Sequence, residues 1–149
     1  MRKGMIALIS AITKEIDYKS VEILYDLNIT KMEAVYLRII HEYPGISQYE
    51  IAKKQNTDKT LVIKHITNLE NKNFIVKKEI DSRKKGVYLT VEGDKAVNFV
   101  NKNLENFEEE LFKGVEEKEV DLLFNMMTQL KERLELSNRR DHFSYNFKK

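Results

Sequence analysis

Residues 47–93 read SQYEIAKKQNTDKTLVIKHITNLENKNFIVKKEIDSRKKGVYLTVEG, and the order of elements in this stretch decides the fold. Ser47 with Glu50 makes a capping box, in which a hydroxyl and a carboxylate each accept an N–H left free at a helix start. A short helix carrying Ile51 and Ala52 begins there and ends near Gln55-Asn56. Asp58 is the natural N-cap of the next helix, which runs through Lys72, and Asn73 suits the left-handed conformation that closes a helix. Past Asn73 the hydrophobic period falls from 3.6 to about 2. Phe74–Ile80 and Val87–Thr90 therefore read as paired strands, with Asp81-Ser82-Arg83-Lys84-Lys85-Gly86 as a polar hairpin tip whose glycine permits the turn.

Upstream, Thr30 with Glu33 repeats the capping box and opens a helix expected to turn Met32, Val35, Tyr36, Ile39 and Ile40 inward before it stops at Tyr43-Pro44-Gly45. Three helices with tight joints thus precede the hairpin. The flanks are long and helical. Met5, Ile9, Ile12, Ile16, Ile23 and Leu27 keep a helical period through Lys14, Glu15 and Asp17. That continuity argues against reading Arg2-Lys3 and Met5–Ile12 as a signal peptide, and no small-residue cleavage site follows. Downstream, Ala96, Val100, Leu104, Phe107 and Leu111 form one stripe, and Val120, Leu123, Met127, Leu130 and Leu134 form another. Such stripes can fold back on their own chain. A bundle shared by two subunits covers them more economically, so a homodimer is expected. The tail Ser137–Lys149, with Arg139, Arg140, Phe143, Tyr145 and Phe147, can dock on the partner subunit or stay mobile; docking is the expectation, because free aromatic side chains are disfavoured in water.

The 149 residues are 42% hydrophobic, enough for a core, and 34% charged with a net charge of only +2, which keeps the chain out of the disordered class. With no Cys, disulfides, thiolate metal sites and thiol switches are excluded, and a cytoplasmic location is the compatible expectation. No run approaches the roughly 20 apolar residues of a membrane span, so no membrane partner is expected. Charge is blocked along the chain. Residues 53–86 carry ten Lys/Arg against four Asp/Glu, whereas residues 101–136 carry five against ten. A basic middle beside an acidic distal segment suits a polyanion that meets only the middle, although two complementary solvated faces would look the same.

On the helix after Asp58, Val62, Ile66 and Leu69 make the core stripe, and Thr60, Ile63, Lys64 and Thr67 fall on the opposite half. That outer face has major-groove chemistry: Lys64 donates to guanine or phosphate, the threonines donate or accept, and Ile63 can meet a thymine methyl. An ordinary solvated helix has the same composition. The basic tip shifts the weight, because Arg83 on a hairpin can enter the neighbouring minor groove, where a weakly hydrated guanidinium is favoured. Asp81 is placed to hold Arg83 in position, and Lys84 and Lys85 suit phosphates. A charged tip that simply stays solvated is the plain alternative.

Taken together, Ser47–Ala52, Asp58–Lys64 with Leu69-Glu70, Asp81-Ser82-Arg83 and Leu89-Thr90-Val91-Glu92-Gly93 resemble the MarR family of bacterial winged helix-turn-helix transcription regulators. Similarity of motif order runs from about Leu27 to Val97. The resemblance implies a mainly α fold with a small β-hairpin wing, the winged helix-turn-helix being flanked by long N- and C-terminal dimerisation helices. Residues 1–28 would be the first of these, 29–92 the DNA-binding lobe, and 93–149 the C-terminal dimerisation helices and tail. Ser47, Gln48 and Lys59, at helix starts, join Thr60, Ile63, Lys64, Thr67, Arg83, Lys84 and Lys85 as candidate DNA-binding residues. The implied partners are double-stranded DNA with a pseudo-palindromic site and a second copy of the chain. The implied activity is repression, released by a small lipophilic or phenolic effector whose binding residues are unassigned. A winged-helix protein-interaction module without specific DNA binding is the alternative.

His65 stands where the family usually has an apolar residue and is expected to be partly buried and hydrogen-bonded; Asn73 stands where Gly is usual. No cofactor, metal site or catalytic residue is assigned. His41-Glu42 lacks a companion ligand motif, the five glycines are isolated, and the three histidines have no triad context, so no enzyme is expected.

Overall fold

The computed structural model describes the backbone of residues 4–146 and the side chains of residues 4–138. The elements are α1 (Met5–Tyr25), α2 (Lys31–Glu42), α3 (Gln48–Gln55), α4 (Lys59–Asn71), β1 (Ile75–Asp81), β2 (Lys84–Leu89), α5 (Val91–Leu111) and α6 (Glu117–Asn146). The described chain divides after Asn106 into two compact units. The aromatic side chains of the tail, expected to dock on a partner, lie outside the described residues.

Local chemistry sets the helix limits in the first unit. At α2 the Thr30 hydroxyl accepts from the Glu33 N–H (3.1 Å) and the Glu33 carboxylate from the Thr30 N–H (3.0 Å). At α3 the same exchange joins Ser47 and Glu50, at 3.2 and 2.8 Å. The Asp58 carboxylate accepts from the Thr60 N–H at 2.7 Å and starts α4. Asn56 (φ 47°) and Asn73 (φ 62°) close α3 and α4 in the left-handed region, which asparagine enters at low cost.

Between them, Leu37 and Ile40 of α2, Ile51 of α3, Val62, Ile66 and Leu69 of α4, Ile75 and Val87 of the hairpin, and Ala96, Val97 and Val100 of α5 form one buried cluster, joined by Leu24 of α1. The helix-turn-helix and the wing share a single core, which makes this unit a winged helix-turn-helix. The inward face of α2 differs from expectation. Met32 is 40% exposed, whereas Glu33 is 1% exposed. The buried stripe is Glu33, Tyr36, Leu37 and Ile40, spaced as one helix face, so a carboxylate occupies a core position.

The hairpin is antiparallel, in register from Ile75↔Leu89 to Glu79↔Lys85, and then shifts to Asp81↔Lys84 with Ile80 bulged out. Lys84, Lys85 and Gly86 therefore belong to β2, and the turn is only Ser82-Arg83, which corrects the six-residue tip. Gly86 does not make the turn. A Cβ there would sit 2.7 Å from the Gly45 carbonyl oxygen, so its role is to admit a second backbone. That backbone is the segment before α3, where the Gly45 N–H donates to the Val87 carbonyl and the Val87 N–H to the Ile46 carbonyl, both at 2.9 Å. The wing root is thus laced to the approach to α3.

In the second unit, no described residue of α6 is buried, and Leu123, Met127, Leu130 and Leu134 are all exposed. In the first unit, Met5, Ile12 and Ile16 of α1 are exposed as well, so neither unit covers its own stripe.

Candidate nucleic-acid interface

A concavity of about 940 Å³ lies between the start of α3, the start of α4 and the wing. It brings together Ser47, Gln48, Lys59, Asp81, Arg83, Lys84 and Lys85 of the expected set. Thr60, Ile63, Lys64 and Thr67 do not line it; they continue along α4 as an exposed face, opposite the buried Val62, Ile66 and Leu69. Sequence reasoning passed over Tyr49, Lys53 and Lys77, which also line the concavity. A signal existed for the first two: Tyr49 and Lys53 are four apart on a helix whose Ile51 and Ala52 point inward.

Six cations line this surface against three carboxylates, Glu50, Glu79 and Asp81. Their pairing separates the cations into two groups. Lys84 Nζ lies 3.4 Å from Glu50 Oε1, and Lys77 Nζ lies 3.0 Å from Glu70 Oε2. These pairs tie each strand of the wing to one helix of the helix-turn-helix. Among the described residues, the other four, Lys53, Lys59, Arg83 and Lys85, have no carboxylate within ion-pair distance, and neither has Lys64 on the outer face of α4, which leaves their charge for an external anion. The Ser47 N–H and hydroxyl, helped by Lys84, hold the Glu50 carboxyl below its ordinary pKa, so it stays ionised.

Asp81 does reach Arg83, at its backbone rather than at its side chain. Its carboxylate accepts from the Arg83 backbone N–H at 2.8 Å and leaves the guanidinium unengaged. The chain turns between the two residues, and the Asp81 carboxylate caps that turn.

His65 is half-buried, but its Nδ1 makes no hydrogen bond; the ring instead packs edge-on against Tyr36, centroids 5.5 Å apart. Tyr36 is fully buried, and burial raises the pKa of its hydroxyl. His41 faces Asp94 of α5 at 3.3 Å. Among the described residues no three metal-ligating side chains cluster, and no helix is long and apolar enough to cross a membrane.

Residues 29–86, which span the helix-turn-helix and most of the wing, match the model of the MarR family. The chain is 27% identical over 134 residues to the HTH-type transcriptional regulator YybA of Bacillus subtilis (strain 168), itself uncharacterised, covering 89% of this chain and 85% of that one. Among solved structures it resembles MarR (TM-score 0.74, 28% identity, 90% of this chain and 94% of that chain). It also resembles MepR of S. aureus in complex with DNA (TM-score 0.73, 25% identity, 87% and 96%).

Proposed function

We propose that residues 29–86, which match the MarR family model, are a winged helix-turn-helix domain of that family and that the chain is a dimeric, sequence-specific DNA-binding transcription regulator. The observation that carries this reading is the single basic concavity shared by the starts of α3 and α4 and the wing, with Arg83 and Lys85 left unpaired. In this reading Thr60, Ile63, Lys64 and Thr67 meet base edges in a major groove, Arg83 enters the adjacent minor groove, and Ser47, Gln48, Lys59, Lys84 and Lys85 bind phosphates. The DNA complex of MepR is consistent with it. Residues 29–92 act as the DNA-binding lobe, while residues 1–28 and 93–149 supply dimer helices whose uncovered apolar stripes support pairing.

We further assign the chain a repressor role in the cytoplasm, ended when a small lipophilic or phenolic effector binds. A groove beside α2 and α5, lined by Val35, Ile39 and Val97 with Arg38, His41 and Asn101, offers apolar walls and a few polar anchors for such a ligand.

Selection from a random duplex pool tests the core of the reading, with a two-fold symmetric consensus as the expected result. With about 6 to 10 phosphates neutralised, affinity for that consensus should fall roughly 10³ to 10⁵-fold between 50 and 200 mM salt. Arg83→Ala should weaken specific binding about ten- to hundredfold, with the dimer intact by size-exclusion chromatography. A flat salt response with no preference over random DNA would turn the assignment toward a protein-interaction module.

A further inference from the structure

We propose that Glu33 is a positioning residue for DNA recognition, whose buried carboxylate fixes the rotation and seat of α4 and hence the direction in which its outer face points. Glu33 is 1% exposed, yet it lies on α2 and takes no part in the basic concavity. Its Oε2 accepts from the Thr30 N–H (3.0 Å) and from Lys72 Nζ (2.9 Å), and its Oε1 accepts from Asn68 Nδ2 (3.3 Å). Lys72 Nζ also donates to the Asn28 carbonyl at 2.6 Å, and Asn28 holds the left-handed φ of 51° that ends the α1 turn. One carboxylate therefore gathers the α1–α2 turn, the first turn of α2 and the last turn of α4.

Apolar contact through Val62, Ile66 and Leu69 keeps α4 on the core, but that attraction has no direction and tolerates a small rotation or slide. Hydrogen bonds from Asn68 and Lys72 to a buried carboxylate do not. A second contact reinforces them, since Tyr36, one turn along α2, packs edge-on against His65 of α4. Two points of contact along α4 resist both twist and sliding. A well-packed apolar side chain in place of Glu33 would avoid the cost of burying a charge, so what the charge supplies is orientation rather than raw stability. Thr60, Ile63, Lys64 and Thr67 share α4 with Asn68, and Lys72 caps that helix, so their presentation follows from this clamp.

The test uses the full chain and the variants Glu33→Gln, Lys72→Met and Lys72→Arg, all measured well below their melting temperatures. Two readouts are taken: the affinity ratio between the selected duplex and random duplex at fixed salt, and amide exchange along α4. The expected result is a ratio lowered about tenfold in Glu33→Gln and Lys72→Met, with faster exchange confined to the C-terminal half of α4. Lys72→Arg, which keeps charge and donors, should retain both values. A lowered melting temperature with unchanged ratio and unchanged local exchange would overturn the proposal, leaving Glu33 a purely structural residue. The affinity readout rests on the DNA-binding reading, whereas the exchange readout does not. If the wild-type chain prefers no duplex, that reading fails and exchange alone decides: acceleration confined to α4 upholds the clamp, and a uniform or absent change overturns it. Should Glu33→Gln not fold, the two Lys72 variants decide in the same way.

Discussion

A carboxylate sealed from water is tolerated only where donors replace its hydration, and Glu33 has them from Thr30, Lys72 and Asn68. Burial by itself pushes the Glu33 carboxyl up. The hydrogen bond from Lys72, the Thr30 N–H, the Lys72 charge and the Asn68 amide together outweigh it, so the pKa lies below the ordinary value of 4.5. The folded state thus binds this proton more weakly than the unfolded chain. The stabilisation is fully present above the unfolded pKa and is lost as pH falls through the folded one. Glu33→Gln should cost about 2 kcal/mol near neutrality, by analogy with other hydrogen bonds to charged groups. Denaturant melts of both proteins should show that gap closing as pH drops below 4.5, and a gap constant down to pH 3 would remove the ionised-clamp account. From the sequence, Glu33 was legible only as half of a capping box. Its partners Asn68 and Lys72 lie 35 and 39 residues away, and no local pattern announces a contact at that separation. Asp81 shows the same limit on a smaller scale, since the pair with Arg83 was legible but which Arg83 atom donates to the carboxylate depends on where the chain turns.

At the scale of elements, helix starts were read correctly because capping is local chemistry between residues two or three apart, as at Thr30, Ser47 and Asp58. The wing was harder. A two-stranded ribbon is solvated over most of its surface, so strand residues such as Lys84 and Lys85 carry the composition of a loop. The motif Leu89-Thr90-Val91-Glu92-Gly93 acquires a mechanical meaning at the junction that follows. The Thr90 hydroxyl donates to the Asn73 carbonyl (2.6 Å) and accepts from the Gly93 N–H (3.0 Å), which ties the start of α5 to the end of α4. Gly93 itself lies against the Phe74 carbonyl, and a Cβ there would come within 2.0 Å of that oxygen. The obstructing atom is backbone, so no flexible side-chain end can move aside. Gly93→Ala should therefore destabilise the lobe by about 1 to 3 kcal/mol, read as a drop in Tm of roughly 3–10 °C by thermal melting. An unchanged Tm would mean that α5 does not rest on the wing root at this point.

For the whole molecule, the separation of charge was legible from the start, because block composition needs no knowledge of contacts. The acidic segment 101–136 is electrostatically unsuited to meet DNA, which leaves its apolar stripe to another use. Leu123, Met127, Leu130 and Leu134 recur at helical spacing on α6 and are all more than 40% exposed in the single chain. An uncovered stripe of this length is a liability unless a second helix covers it. If that cover is a second copy, the pairing has a functional consequence. Two lobes held together bind a two-fold site with an effective concentration that neither has alone, worth about 10² to 10⁴ in affinity. The double variant Leu130→Glu with Leu134→Glu should sediment as a monomer with its lobe still folded by circular dichroism. It should lose about that factor on the full palindrome while keeping the wild-type lobe's weak affinity for a half-site. A wild-type chain that sediments as a monomer at micromolar concentration, or a variant that binds the palindrome undiminished, would show that the stripe serves something other than self-pairing. The charge blocks and the stripe therefore give one testable division of labour along the chain, in which the basic middle supplies contact with DNA and the flanks supply symmetry.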